Sequence, residues 1–247
     1  MIKRFIIFLL AIQISAHASE FQKLETIDEV IDSFEYLRSS FIETKDHRLV
    51  FVSTYKRVTQ EIKKELEKNT FESPQWVNLI IVDFANLYLE ALGDYYQNKP
   101  LAGAWREAFR SNDEKYHKVS VDLLLSMNAH ISHDLPISLF NLFQAGFGPS
   151  EVKKDYFIMN EIIERLIPSF ILLMSEIEKT LGLGKKGLKE WIGFYFLKKM
   201  RSSAWDEAIN LYNTPKYDQP AYLEKIDRQS SESAKRITDG RFFIPSH

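Results

Sequence analysis

Residues 75–96 read QWVNLIIVDFANLYLEALGDYY, and the spacing of the apolar side chains there decides the fold class. They recur every three or four residues and nearly close the circumference. That pattern fits a helix covered by neighbours on most sides better than a strand with one wet face. Ser73 and Pro74 precede the run as an N-cap and a proline at the first helical position. A helix this apolar depends on other helices to wrap it, so the flanking sequence has to supply them.

It does so on both sides. TIDEVIDSFEYLRSSF, 26–41, opens with a capping box of Thr26 and Glu29 and carries the stripe Ile27, Val30, Ile31, Phe34 and Leu37. A second helix is predicted over 46–68, with Val52, Tyr55, Val58, Ile62 and Leu66 inward. Shorter helical patterns follow around LAGAWREAFR (101–110), from about Lys115 to the histidine-containing motif described below, and from Pro136 to Ala145. Gly146-Phe147-Gly148-Pro149 marks a break. Two long helices are then predicted over 150–182, bent near Pro168, and 185–212, with a polar surface helix to Gly240 and a terminal RFFIP that tucks back onto the body. With nine glycines, little strict alternation and no Ser-, Gly- or Pro-rich linker, the chain reads as all-α, a single multi-helix bundle-like domain.

The first 18 residues have another role. Lys3 and Arg4 precede the uncharged FIIFLLAIQIS, which ends at Ala16-His17-Ala18; this is the signature of a signal peptide (1–18), so 19–247 is expected to be an exported, periplasmic or extracellular helical domain. The longest later apolar run, LIPSFILLM (166–174), is short and holds Pro168, so no membrane span is expected in the mature chain. A formal charge of −2 gives no electrostatic reason to expect nucleic acid. The absence of cysteine excludes disulfides, thiolate metal sites and a cysteine nucleophile.

SMNAHISHDLP, 126–136, ends an apolar run with two histidines and an aspartate. Asp122, Ser126, His130 and Asp134 are each four apart and share a helical face, with His133 beside them. Three readings stay open. The pair satisfies buried polar groups; or it binds a divalent metal with a further ligand from another helix; or it does metal-free acid–base chemistry, with Asp134 fixing the His130 tautomer. On 75–96, Asp83, Asn86 and Glu90 form a second polar stripe. It reads either as a solvent-facing edge or as the far wall of a pocket, in which case a carboxylate of Asp83 or Glu90 reaches His130.

Other features are weaker. Glu114-x-x-His117 has di-iron spacing but occurs once. Trp105 and Trp205 read as core residues, and Lys185, Lys186, Lys189, Lys198 and Lys199 as a solvated face. No Gly-x-Ser-x-Gly elbow, P-loop, dinucleotide fingerprint or His-Glu-x-x-His is present.

FANLYLEAL (84–92), AWREAF (104–109), LLLSMNAHISHDLP (123–136), DYFIMNEII (155–163) and RSSAWDEAINLY (201–212) resemble, in that order, an uncharacterised all-helical bacterial family, domain-of-unknown-function family 5995. The resemblance spans roughly 30–212 and is most specific at Asn128-Ala129-His130-Ile131 and Asp134-Leu135. It implies Asn128, His130 and Asp134 as family positions, with Asn86, Tyr88, Trp105, Asn160, Arg201 and Trp205 matched less closely. It implies a fold and a site location and no activity. If the protein is an enzyme, a hydrolase is expected, with His130 activating water or holding a metal, Asp134 orienting it, and Asn128 or Asn86 holding a substrate oxygen. The alternatives are a binding module for a small apolar or lipid-like ligand, with aromatic side chains lining a cavity, the polar stripe fixing a head group and Asp83, Asn86, Glu90, Tyr88, Trp105 and Arg201 as binding residues, and a structural protein without catalysis.

Overall fold

The computed structural model describes residues 23–114, 118–183 and 191–241. The expected signal peptide, the histidine of the Glu-x-x-His motif, Lys185, Lys186, Lys189 and the RFFIP segment from 242 onward lie outside them. The described residues form helices and no strands.

α1 (Ile27–Thr44) starts at the predicted capping box: Thr26 Oγ1 accepts from Glu29 N at 3.2 Å, and Glu29 Oε2 accepts from Thr26 N at 3.1 Å. It ends at Lys45, whose φ of 52° turns the chain back. Asp46 does not begin the next helix, as the sequence pattern had it. Its carboxylate instead accepts from Arg48 N at 2.8 Å, and α2 (Leu49–Glu67) starts only after that local turn. α1 and α2 pack along their length as an antiparallel pair.

α3 (Pro74–Tyr96) is the apolar helix of the opening stretch. It is long and apolar enough to cross a membrane, yet 67% of its most apolar window is buried inside the protein, as in the core helix of a helical domain. Its predicted cap differs in origin. Ser73 makes no side-chain cap bond; the fully buried Asp155 of α7 (Pro149–Thr180) instead accepts from Glu72 N (3.0 Å) and Ser73 N (2.6 Å). A carboxylate satisfies two orphan amides at the positive end of the helix dipole and ties α7 to α3 in one step. Asp155→Ala strands both amides, and we expect a loss of about 2 kcal/mol, or roughly 5 °C in Tm by circular dichroism. An unchanged Tm would show that water replaces the cap at no cost.

α4 (Gly103–Glu114) begins where Gly103 N donates to Asp227 of α9 (Gln219–Thr238) at 2.9 Å. A Cβ at 103 would lie 2.9 Å from Ser231 Cβ and closer still to its hydroxyl, so only glycine permits this approach. α9 is not a purely surface helix, because Ile226, Ser230, Ala234 and Ile237 form a buried face against α4 and α5 (Val119–Asn128).

The break expected before Pro136 does not occur. α5 runs into a π-helical turn, Ala129–Asp134, and on into α6 (Leu135–Gln144) without leaving a helical path. Pro136 has no N–H and its ring crowds the carbonyl of the preceding turn, and a widened turn just before it accommodates both. This π-turn packs against α3, α4, α8 (Trp191–Asn213) and α9, so it is the hub of the domain.

Candidate functional site

At the hub His130 is 1% and Asp134 3% exposed. The His130 ring stacks on Phe84 with centroids 3.4 Å apart and planes 8° apart. Phe51 and Tyr55 meet it edge-on at 5.3 and 5.2 Å, and Trp105 and Tyr88 complete the enclosure at 6.0 and 6.4 Å. His130 thus occupies the aromatic interior, and the rings it separates enclose a side chain where a ligand cavity was expected.

The Asp134 carboxylate gathers three donors. Trp105 Nε1 spans both its oxygens at 3.1 and 3.0 Å, His130 Nδ1 lies 3.0 Å from Oδ2, and His133 Nδ1 lies 2.8 Å from Oδ1. An ionised carboxylate only accepts, so each imidazole places its proton on Nδ1. Burial pushes the Asp134 pKa up, but the bonds from His130 and His133 outweigh it and hold the acid below its ordinary range. For His130, burial wins over the Asp134 contact, the pKa falls, and the ring stays neutral. His133 is nearer the surface; there burial loses to the Asp134 bond and charge, and its pKa rises. The neutral His130 therefore presents a bare Nε2, which has no hydrogen-bond partner among the described residues.

The two ends of the four-residue stripe lie in separate networks. Asp122, fully buried, receives Ser111 Oγ at 2.5 Å and pairs with His47 Nδ1 at 2.7 Å. Neither His47 nor Ser111 was among the candidate residues; they lie 75 and 11 positions from Asp122, and no local spacing marks them. Asn128 donates from Nδ2 to Ser230 O at 2.8 Å, fastening the π-turn to α9. Arg201 Nε donates to Asn160 Oδ1, its guanidinium lies 5.2 Å from the Tyr156 ring, and Tyr156 OH donates to Arg201 O at 2.6 Å. Trp205 is buried against the Tyr156 ring at 4.8 Å.

The stripe on α3 does not face His130. Asp83 accepts from Ser138 Oγ of α6 at 2.6 Å, Asn86 brackets the Leu24 peptide with bonds of 2.9 and 3.0 Å, and Glu90 is exposed. The side chains aimed at His130 are Phe84 and Tyr88, one turn apart. Asp83 is rotated about 100° from Phe84, and Asn86 about twice that in the other sense, so neither Asp83 nor Glu90 bonds to the imidazole.

Both histidines turn Nδ1 to Asp134, so these three side chains bond to one another, and among the described residues no three His, Cys, Asp or Glu side chains are grouped so as to hold a metal ion.

Solvent reaches the outer side of the same turn. Ser132 lines a half-open groove of about 460 Å³ between α8 and α9, with Lys199, Ser203, Glu232, Ser233 and Arg236 around it. Among the described residues none of these six makes a side-chain ion pair or hydrogen bond, whereas Glu207 at the groove edge is taken by Tyr222 and Lys225.

No curated protein and no solved structure matches the chain. A family model described as "Family of unknown function (DUF5995)" matches residues 27–240, from the first residue of α1 to just past the end of α9, and the chain therefore belongs to that family.

Proposed function

We propose that this is an exported binding module for a small zwitterionic solute, held in the groove over the π-turn, with the His130–Asp134–Trp105 network as its internal frame. The observation that carries the reading is the division of labour along one turn: His130 and Asp134 are sealed inward, while Ser132 between them opens onto the groove. Lys199 and Arg236 offer cations to a carboxylate, Glu232 offers an anion to an ammonium, and Ser203 and Ser233 add hydroxyls. Among the described residues the groove lining holds charged and hydroxyl side chains and no aromatic ring, which favours such a solute over a sugar or an apolar body, and its volume lies within the usual range of about 300–1,000 Å³ for small-ligand sites. The basic and apolar segment 1–18 supports export, which places the solute outside the cytoplasm.

The hydrolase reading needs His130 Nε2 to meet water and substrate. Its side chain is 2% exposed and enclosed by rings, which supports a framing role for it instead.

The test is thermal denaturation with a panel of amino acids, glycine betaine and dipeptides. At about a hundredfold excess over Kd, a true ligand stabilises by about 2.7 kcal/mol, a Tm rise of roughly 5–10 °C. Ser203→Trp fills the groove from an exposed position and is expected to abolish that rise without unfolding the protein. The proposal is wrong if no member of the panel raises Tm, or if the rise survives in Ser203→Trp.

A further inference from the structure

A second recess, lined by none of the groove residues, lies between α2 and α7 with Arg38 of α1 beside it; it encloses about 320 Å³. On α2 the hydroxyls of Thr54 and Thr59 bond back to the carbonyls four residues earlier, at 2.8 and 3.1 Å. This is the ordinary way a buried helical hydroxyl is satisfied. Ser53 departs from it: the residue is 5% exposed, lines the recess, and its Oγ has no partner among the described residues.

Next to Ser53 the recess is cationic. Arg38 and Lys56 both bind Glu35, at 3.2 and 2.5 Å, whereas Arg57 makes no ion pair among the described residues. The opposite wall carries the apolar pair Leu173 and Leu172, the latter 68% exposed, beside Ser169. Glu176 is the only carboxylate lining the recess among the described residues.

We infer that this recess binds a single-headed amphiphile with an oxyanion head, of the class of a fatty acid or an alkyl phosphate. The head receives the Ser53 hydroxyl and the Arg57 guanidinium, and the first part of the chain covers Leu172 and Leu173. A carboxylate or phosphate supplies the acceptor that Ser53 lacks and the counter-charge that Arg57 lacks, and an aliphatic chain removes Leu172 from water. An inorganic anion meets only the first two needs.

The experiment is isothermal titration of the full mature chain with decanoate and decyl phosphate below their micelle concentrations, beside inorganic phosphate and phosphatidylglycerol vesicles. Monomeric decanoate or decyl phosphate is expected to bind, with inorganic phosphate weaker by about tenfold or more because it leaves the leucines wet. Arg57→Gln, at an exposed position, is expected to weaken binding by about tenfold, and about 0.5 M salt to narrow the gap between wild type and variant. Leu172→Gln should weaken the alkyl ligands and leave inorganic phosphate unchanged. Ser203→Trp should alter none of these affinities, which separates this recess from the groove over the π-turn. The inference is overturned if neither alkyl ligand binds, if Arg57→Gln and Leu172→Gln bind them as wild type does, or if vesicles bind while monomers do not, an outcome that would assign the face to a lipid surface.

Discussion

Asp134→Ala should lower the melting temperature by about 10 °C or more, the largest single effect expected in this protein. The carboxylate is 3% exposed and accepts from Trp105, His130 and His133 at once. Removing it strands the Trp105 indole N–H and the His130 Nδ1–H in an apolar interior, where neither finds water. Breaking one side of such a buried network costs about 3–5 kcal/mol, and in a domain of this size each kcal/mol moves Tm by about 2–4 °C. His133→Ala should cost far less, because that side chain is 16% exposed and the two inner donors keep their acceptor. Trp105→Phe retains most of the ring contacts and removes one donor to an ionised acid, for about 1.5–3 kcal/mol. Combined with Asp134→Ala it should cost clearly less than the two changes added, since both remove the same bond. Additive losses would mean that the indole–carboxylate bond contributes nothing and that the aspartate acts through the imidazoles alone. A Tm within about 2 °C of wild type for Asp134→Ala would end the view of this network as the frame of the domain.

The same network shows what the sequence could convey. Four-residue spacing places His130 and Asp134 within reach of each other, and they are bonded. The capping box at Thr26 and the buried apolar run at 75–96 are local signals too, and each takes its expected form. What spacing does not carry is rotation about a helix axis relative to a neighbour. Polar residues on α3 drew attention to Asp83, Asn86 and Glu90, yet the face presented to His130 is the aromatic pair Phe84 and Tyr88, because a histidine held neutral at the core is packed as an aromatic ring. The π-turn was equally hidden. Pro136 signals an interruption, but whether the chain breaks there or widens by one residue depends on the helices packed around it, which the local sequence does not specify. Caps supplied from afar, such as Asp155 on Glu72 and Ser73, leave no trace in the segment they cap.

Stability should peak near pH 6.5, because the two histidines of the π-turn titrate in opposite directions. His130 is surrounded by Phe51, Tyr55, Phe84, Tyr88 and Trp105, with Asp134 as its bonded charge and the Arg201 guanidinium opposing protonation. Its folded pKa lies below the ordinary 6.5, so on acidification the unfolded chain takes up the proton first. The stability due to the neutral ring is complete above about pH 6.5 and is lost as pH falls toward the folded value, at up to about 1.4 kcal/mol per pH unit. His133 faces Asp134 and Asp227, and its folded pKa lies above 6.5. Its contribution is complete below that value and is lost as pH rises through the raised pKa. Asp134, held below its ordinary 3.8, adds a loss only below about pH 4. Urea denaturation from roughly pH 5 to 8 should therefore give a curve that rises and then declines, and His133→Gln should convert the decline above pH 6.5 into a plateau while leaving the acid limb in place. An acid limb that is flat in the wild type would mean that His130 takes its proton inside the folded core, where its Nε2, sealed among five aromatic rings, has no hydrogen-bond partner among the described residues to stabilise the charge.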